Sequence, residues 1–318
     1  MQRVMQRRYA NFDYLRLFLA LSVICLHGWH SKGIRYGALP FMVPVFLGIS
    51  GFVIPPSLES SQSIAHFFWK RFLRVTPGFL AALVIVGFGY GFQYVGPTLT
   101  SWYSFGFIRG EGKDPVLWSL ACEEVIYICI AALYVAGLYK KPSFLWSSLV
   151  VTTILEAYIM PQVTILGTNP AMLPSAFLIG NLLYVYREKL LTHPSIPLIA
   201  SVVLFAYLPF RPDDYTIQYL HQSLLVAALV WLGFAGPQMK WRLPLDISYG
   251  VYIYHWMIVL PVAAAMQNLY GIIIVTSLLT IVVSIVSALI IERPALRLKD
   301  WIWWRRTPIL AADAELTS

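Results

Sequence analysis

NFDYLRLFLALSVICLHGWH, residues 11–30, is the stretch on which the reading of the fold turns. From Phe12 to His30 it is apolar for long enough to cross about 30 Å of hydrocarbon as a helix. Two residues stand out against that background. Arg16 and His27 are three helical turns apart, so they share a face and lie about 16 Å apart along the axis. A single such helix could be an anchor or a buried core element, and what decides between them is whether the pattern repeats.

It does. The chain has 318 residues, 58% hydrophobic and only 12% charged, a balance that a soluble domain of this size cannot carry without exposing much of its apolar surface. Apolar runs recur near 12–30, 41–55, 76–96, 118–138, 144–161, 171–186, 196–210, 217–235, 246–265 and 271–291, separated by short polar breaks. The second run is expected to stop at Pro55 and Pro56, and the seventh is bounded by Pro194, Pro197 and Pro209. The fold class is therefore all-α: a polytopic integral membrane helical bundle with about ten transmembrane helices, formed by residues 1–304. Residues 305–318 are expected to be a disordered cytoplasmic tail. The first run has no small-residue cleavage site after it, so it is read as a retained span and not a signal peptide. No repeat or linker divides the chain.

Orientation follows from the basic residues. With the N-terminus inside, the inner segments hold Arg3, Arg7, Arg8, Lys70, Arg71, Arg74, Lys140, Lys141, Arg187, Lys189, Lys240 and Arg242, and the C-terminal segment adds Arg293, Arg297, Lys299, Arg305 and Arg306. The outer segments hold Lys32, Arg35, Arg109, Lys113 and Arg211. Both termini are thus expected in the cytoplasm. The net charge of +8 sits in short loops at the membrane edge, which points to anionic lipid headgroups as partners and away from nucleic acid. Cys25, Cys122 and Cys129 lie in apolar segments without CxxC or metal-ligand spacing, so neither a disulfide framework nor a metal site is implied.

Charged and titratable side chains cost at least roughly 2.5 to 3.5 kcal/mol at the centre of a membrane helix, so they are the first candidates for a site. Arg16 could snorkel to the inner interface or serve a function. His27 could be a packing or interface histidine beside Trp29 and His30, or a functional group. LWSLACEEVIYI places Glu123 and Glu124 about one turn inside the fourth run, with Tyr127 one turn further on the face of Glu123. Those acids are either partnered inside the bundle or held at a helix N-terminus in water. HFFWKRFLRVTPGF interleaves Lys70, Arg71 and Arg74 with aromatics, as a positive-inside anchor does. The same arginines could bind phosphates bidentately. In LDISYGVYIYHWMIV, His255 is mid-helix with Tyr249, Tyr252 and Tyr254 spread around the helix, in a packing or substrate-lining role. Glu156 and His221 are read as interface residues, and Asp246 and Glu292 as partners of Arg242 and Arg293.

Taken in order, NFDYLRLFLALSVICLHGWH, PVFLGISGFVI, KRFLRVTPGF, LWSLACEEVIY and ISYGVYIYHWMIV closely resemble the membrane-bound acyltransferase 3 family over about Phe12 to Arg293. That family includes bacterial exopolysaccharide, lipopolysaccharide and Nod-factor O-acetyltransferases. The resemblance implies an acetyl-CoA-dependent O-acetyltransferase. Arg16 and His27 match the family's essential pair, Arg71 and Arg74 its cytoplasmic arginines, and Trp118, Glu123, Glu124 and Tyr127 its WSLxxEE motif. No GDS motif is present, as expected of the stand-alone type without a fused esterase-like domain. The second run reads VFLGISGF where bulkier residues would precede SGF, which would alter a substrate passage.

Acyl transfer from a thioester needs a held donor, a base for the acceptor hydroxyl and charge stabilisation at the oxyanion. His27 is the candidate base or a transient acyl carrier, and Glu123 or Glu124 would orient and charge an imidazole or the acceptor. Arg71 and Arg74 would hold the phosphates of acyl-CoA, and Arg16 would guide the donor into the bundle. Trp118, Tyr127 and His255 would contact substrate. The acceptor would be a glycan or lipid-linked saccharide, and no resident cofactor is implied. A transporter or flippase of a lipid-linked glycan is the alternative, with His27, Glu123 and His255 relaying protons or lining a path.

Overall fold

A backbone in lipid must satisfy its own N–H and C=O groups, and every regular element described here is a helix. The computed structural model describes residues 9–34, 41–103, 117–139, 141–156, 173–192, 215–241 and 243–300. The seventh expected span and the expected tail lie outside the described residues.

The helices are α1 (Ala10–His30), α2 (Met42–Glu59), α3 (Ile64–Tyr90), α4 (Val95–Tyr103), α5 (Leu117–Val135), α6 (Pro142–Ile154), α7 (Leu173–Val185), α8 (Arg187–Thr192), α9 (Tyr215–Ala235), α10 (Ser248–Ala265) and α11 (Leu269–Ser287). A π-turn at Ala288–Glu292 and short helical turns continue α11 to Asp300. Five helices are long and apolar enough to cross a membrane: 10–30, 42–59, 64–90, 248–265 and 269–299. Apolar stretches at 142–154, at 173–185 and, within α9, at 222–235 are shorter. The chain is a membrane protein of helical architecture, and among the described residues five helices meet the length and composition that crossing requires.

Two expected boundaries move. α2 continues through Pro55 and Pro56 to Glu59. Proline removes one backbone donor, and packed neighbours can carry a helix past it. α3 begins at Ile64, twelve residues before the expected start, because Ser63 caps it: the His66 N–H donates to the Ser63 hydroxyl at 3.0 Å. Lys70, Arg71 and Arg74 are therefore helical residues and not loop residues.

The chain divides into two compact units, the first Met1–Arg16, Ala38–Pro56 and Ile126–Leu243, the second Leu17–Gly37, Ser57–Val125 and Pro244–Ser318. In the first, α2 and α7 cross at backbone contact. A Cβ on Gly180 would stand 2.0 Å from the Gly48 carbonyl oxygen, and one on Gly51 2.0 Å from the Phe177 oxygen. The glycines of VFLGISGF thus serve a helix crossing. Phe52 anchors the aromatic core there, stacking on Phe234 at 4.7 Å and meeting Phe12 at 5.3 Å. The Asn11 side chain ties the start of α1 to the turn after α9, donating to Pro237 O and accepting from Met239 N–H.

In the second unit, α11 turns Thr276, Thr280, Ser284 and Ser287 inward, all buried, while Ile274, Leu278 and Val282 are more than half exposed. That is the inverse of a soluble amphipathic helix and suits a lipid-facing one. Gly250 of α10 meets Ser284, where an added Cβ would lie 2.9 Å from the serine Cβ. Tyrosines staple α10 to α3: Tyr249 donates to Val75 O at 2.6 Å, and Tyr90 donates to Met257 O at 2.6 Å. Each such bond stabilises by about 1 kcal/mol.

Candidate active site

His27 lies near the C-terminal end of α1 and His255 in the middle of α10. His27 Nδ1 and His255 Nε2 are 2.6 Å apart. The ring centroids are 4.9 Å apart and the planes differ by 8°. Rings stacked in van der Waals contact keep their atoms about 3.5 Å apart, so a 2.6 Å nitrogen pair identifies an in-plane hydrogen bond and not a face-to-face stack. His255 is fully buried, whereas His27 keeps part of its surface. Trp256 meets the His27 ring edge-to-face at 4.8 Å.

Two further contacts fix this pair. The Lys32 ammonium, just past the end of α1, donates to Ala263 O and Met266 O at 3.2 and 2.9 Å, capping the C-terminus of α10. Ser119 and Tyr252 share a hydroxyl–hydroxyl bond at 2.7 Å, which docks the first turn of α5 on α10. The WSL segment is thereby attached one helical turn from His255. Glu123 and Glu124, half-buried, follow on α5 in the same unit. Tyr127 is buried and belongs with the first unit, as does Arg16. Trp118 opens α5.

The arginines have distinct surroundings. Arg74 Nη2 donates to Asp246 Oδ2 at 2.5 Å, and Asp246 Oδ1 accepts from the Ser248 N–H and hydroxyl at the start of α10. Arg71 Nη2 donates to the Ser57 hydroxyl at 3.3 Å, and its guanidinium lies 6.0 Å from the Phe67 ring centroid. Arg71 Nε is buried with no partner among the described residues. Lys70 donates to Ser57 O, so Ser57 collects both cations. The ion pair of Asp246 is with Arg74, and Arg242 lies outside the described residues. Glu292, expected beside Arg293, is buried and accepts from the Ser287 hydroxyl at 3.2 Å, while exposed Arg293 donates to Pro244 O. Neighbours in sequence point to different sides of a helical turn.

Glu156, read from sequence as an interface residue, is instead buried in the first unit. It accepts from the Tyr219 hydroxyl and from the Ser175 N–H at 3.3 Å, in the first turn of α7 where backbone donors lack helical partners. Sequence reasoning also gave no role to Ser57, which carries no signal beyond its type, or to Ser119, which lies inside the WSLxxEE motif. Among the described residues no cluster of His, Cys, Asp or Glu is arranged to hold a metal ion.

The described helices thus carry a hydrogen-bonded histidine pair and a separate basic cluster. The chain belongs to the acyltransferase 3 family, whose model, described as an acyltransferase domain, matches residues 9–293. It is 24% identical to nodulation protein 10 of Rhizobium leguminosarum bv. viciae, over 94% of this chain and 96% of that protein. It is 25% identical to an O-acetyl transferase of Shigella phage Sf6, over 76% of this chain and 82% of that protein. No solved structure matches the chain.

Proposed function

We propose that this membrane acyltransferase is an O-acyltransferase of the bacterial inner membrane that moves an acyl group, acetyl in the simplest case, from a cytoplasmic acyl-coenzyme A to a hydroxyl of an exopolysaccharide, lipopolysaccharide or other cell-envelope glycan. The carrying observation is the His27–His255 hydrogen bond, which occupies one His27 nitrogen and leaves the other on a ring that keeps exposed surface. The relative named as an O-acetyl transferase supports oxygen as the acceptor atom.

In this reading His27 takes the proton of the acceptor hydroxyl as its oxygen bonds to the thioester carbonyl carbon. The carbon–sulfur bond then breaks, and the proton passes to the departing sulfur to give the free thiol. Glu123 or Glu124 orients the acceptor or the imidazole. Arg71, with an unpartnered Nε beside Lys70, takes a coenzyme A phosphate, and Arg74 holds Asp246 at the start of α10 next to it. Arg16 guides the donor arm, and Trp118 and Tyr127 contact substrate. Only the pantetheine arm has to enter the bundle, so the nucleotide can stay on the cytoplasmic side with both chain termini.

The test is purified protein in lipid vesicles with radiolabelled acetyl-coenzyme A and a panel of envelope glycans. Label appearing covalently on a glycan supports the proposal. Movement of a lipid-linked glycan across the bilayer without acyl transfer would favour the transporter reading instead.

A further inference from the structure

His255, expected from the sequence to contact substrate, has both ring nitrogens in hydrogen bonds, and the second carries more information than the first. His255 Nδ1 lies 2.6 Å from the carbonyl oxygen of Tyr252, one turn back on α10. A carbonyl only accepts, so the hydrogen in that bond belongs to His255 Nδ1. A fully buried ring is neutral when nothing compensates its charge, and a neutral imidazole carries one N–H. His255 Nε2 is then a lone pair, and the 2.6 Å bond to His27 is donated by His27 Nδ1. Neutral His27 in turn holds its own lone pair at Nε2, the nitrogen turned away from His255.

We infer that His255, anchored on the Tyr252 carbonyl, is a positioning residue that fixes the tautomer of His27, leaving Nε2 of His27 as the nitrogen that accepts the proton of the acceptor hydroxyl. The inference rests on the proposed acyl transfer for its purpose, but the tautomer is a property of the chain by itself. The Ser119–Tyr252 bond adds a consequence: the first turn of α5 holds the residue whose carbonyl sets the proton order. The relay runs Tyr252 C=O, His255 N–H, His255 lone pair, His27 N–H, His27 lone pair. When His27 accepts the proton it becomes doubly protonated, and His255 Nε2 keeps accepting from its Nδ1–H, a charge-assisted bond stronger than the neutral one. The same geometry therefore orients the base before the reaction and stabilises its charged form during it.

The first measurement is the 15N NMR spectrum of 15N-histidine-labelled full-length protein in lipid at neutral pH, with His27 assigned by comparison with His27→Asn. A protonated Nδ1 and a bare Nε2 on His27 support the inference, and a protonated Nε2 overturns it, whatever the activity assay gives. The second is a pair of variants. In His255→Gln the Gln side-chain oxygen replaces Nε2 as acceptor, so the His27 tautomer is kept and acyl transfer stays within about tenfold of the original. In His255→Leu the acceptor is gone, the two His27 tautomers mix in the spectrum, and kcat falls by about a hundredfold or more while KM for the donor is unchanged. Equal loss in both variants with an unchanged His27 spectrum would show that His255 serves packing alone. If no glycan is ever acylated, the proposed function fails while the spectrum still decides the tautomer.

Discussion

Arg74 and Asp246 are joined at 2.5 Å, and the same carboxylate accepts from the first turn of α10. A guanidinium so engaged ties two helices together, whereas Arg71, three residues earlier on the same helix, has an unpartnered Nε. The two arginines are therefore predicted to fail differently. Arg74→Ala leaves a half-buried carboxylate without its cation and lowers stability by about 1–3 kcal/mol, read as a fall in the melting midpoint of the detergent-solubilised protein. Arg71→Ala leaves the midpoint unchanged and raises KM for acyl-CoA roughly tenfold. Identical behaviour of the two variants would remove the distinction.

The glycines at the α2–α7 crossing give a second prediction. A methyl group on Gly180 would lie 2.0 Å from the Gly48 oxygen, and backbone cannot step aside as a flexible side chain can. Gly180→Ala is expected to cost at least the roughly 1–3 kcal/mol of core overpacking and to reduce the yield of folded protein in membranes. Gly89→Ala, on a surface where an added Cβ meets nothing within 4 Å, is the control and leaves folding intact.

These two cases also show what could be read from the chain alone. The helical membrane class was legible because lipid forces apolar length and internal hydrogen bonding on any span, and residues 11–30 display both. Arg16, His27 and the acidic pair stood out because charge at membrane depth is costly. The partners were not legible. Asp246 pairs with an arginine 172 positions away, and nothing local marks Arg74 over Arg242. The glycines of VFLGISGF looked like a variation in a substrate passage because close helix approach leaves no signature other than small residues. Ten hydrophobic windows were countable in the sequence, and among the described residues five helices, 64–90 among them, have the length and composition to cross a membrane.

Glu156 yields a third prediction. Its carboxylate accepts from the Tyr219 hydroxyl and from a first-turn N–H of α7, so the two oxygens join the end of α6 to α7 and α9. Glu156→Gln keeps an oxygen for the Ser175 N–H and an amide for the Tyr219 oxygen, and should retain near-original stability. Glu156→Leu strands both donors in a buried site and should cost about 1–3 kcal/mol for each. The comparison is made by thermal unfolding monitored in detergent. A stable leucine variant with a lost glutamine variant would point to a chemical role in place of a structural one.

His27 itself allows the sharpest separation of structure from chemistry. Alanine at this position would remove the proposed base and also strand the buried His255 Nε2, so its loss of activity would have two explanations. Asparagine differs: its side-chain amide nitrogen stands near the position of Nδ1 and can donate to His255, but it has no atom that could act where Nε2 acts. His27→Asn is therefore expected to insert and melt like the original protein while acyl transfer falls by about 10²–10⁴-fold, the usual contribution of a positioned base. Transfer measured with labelled acetyl-coenzyme A beside a thermal melt checks both halves, and an asparagine variant that still acylates glycans would take His27 out of the chemistry while leaving its hydrogen bond in the fold.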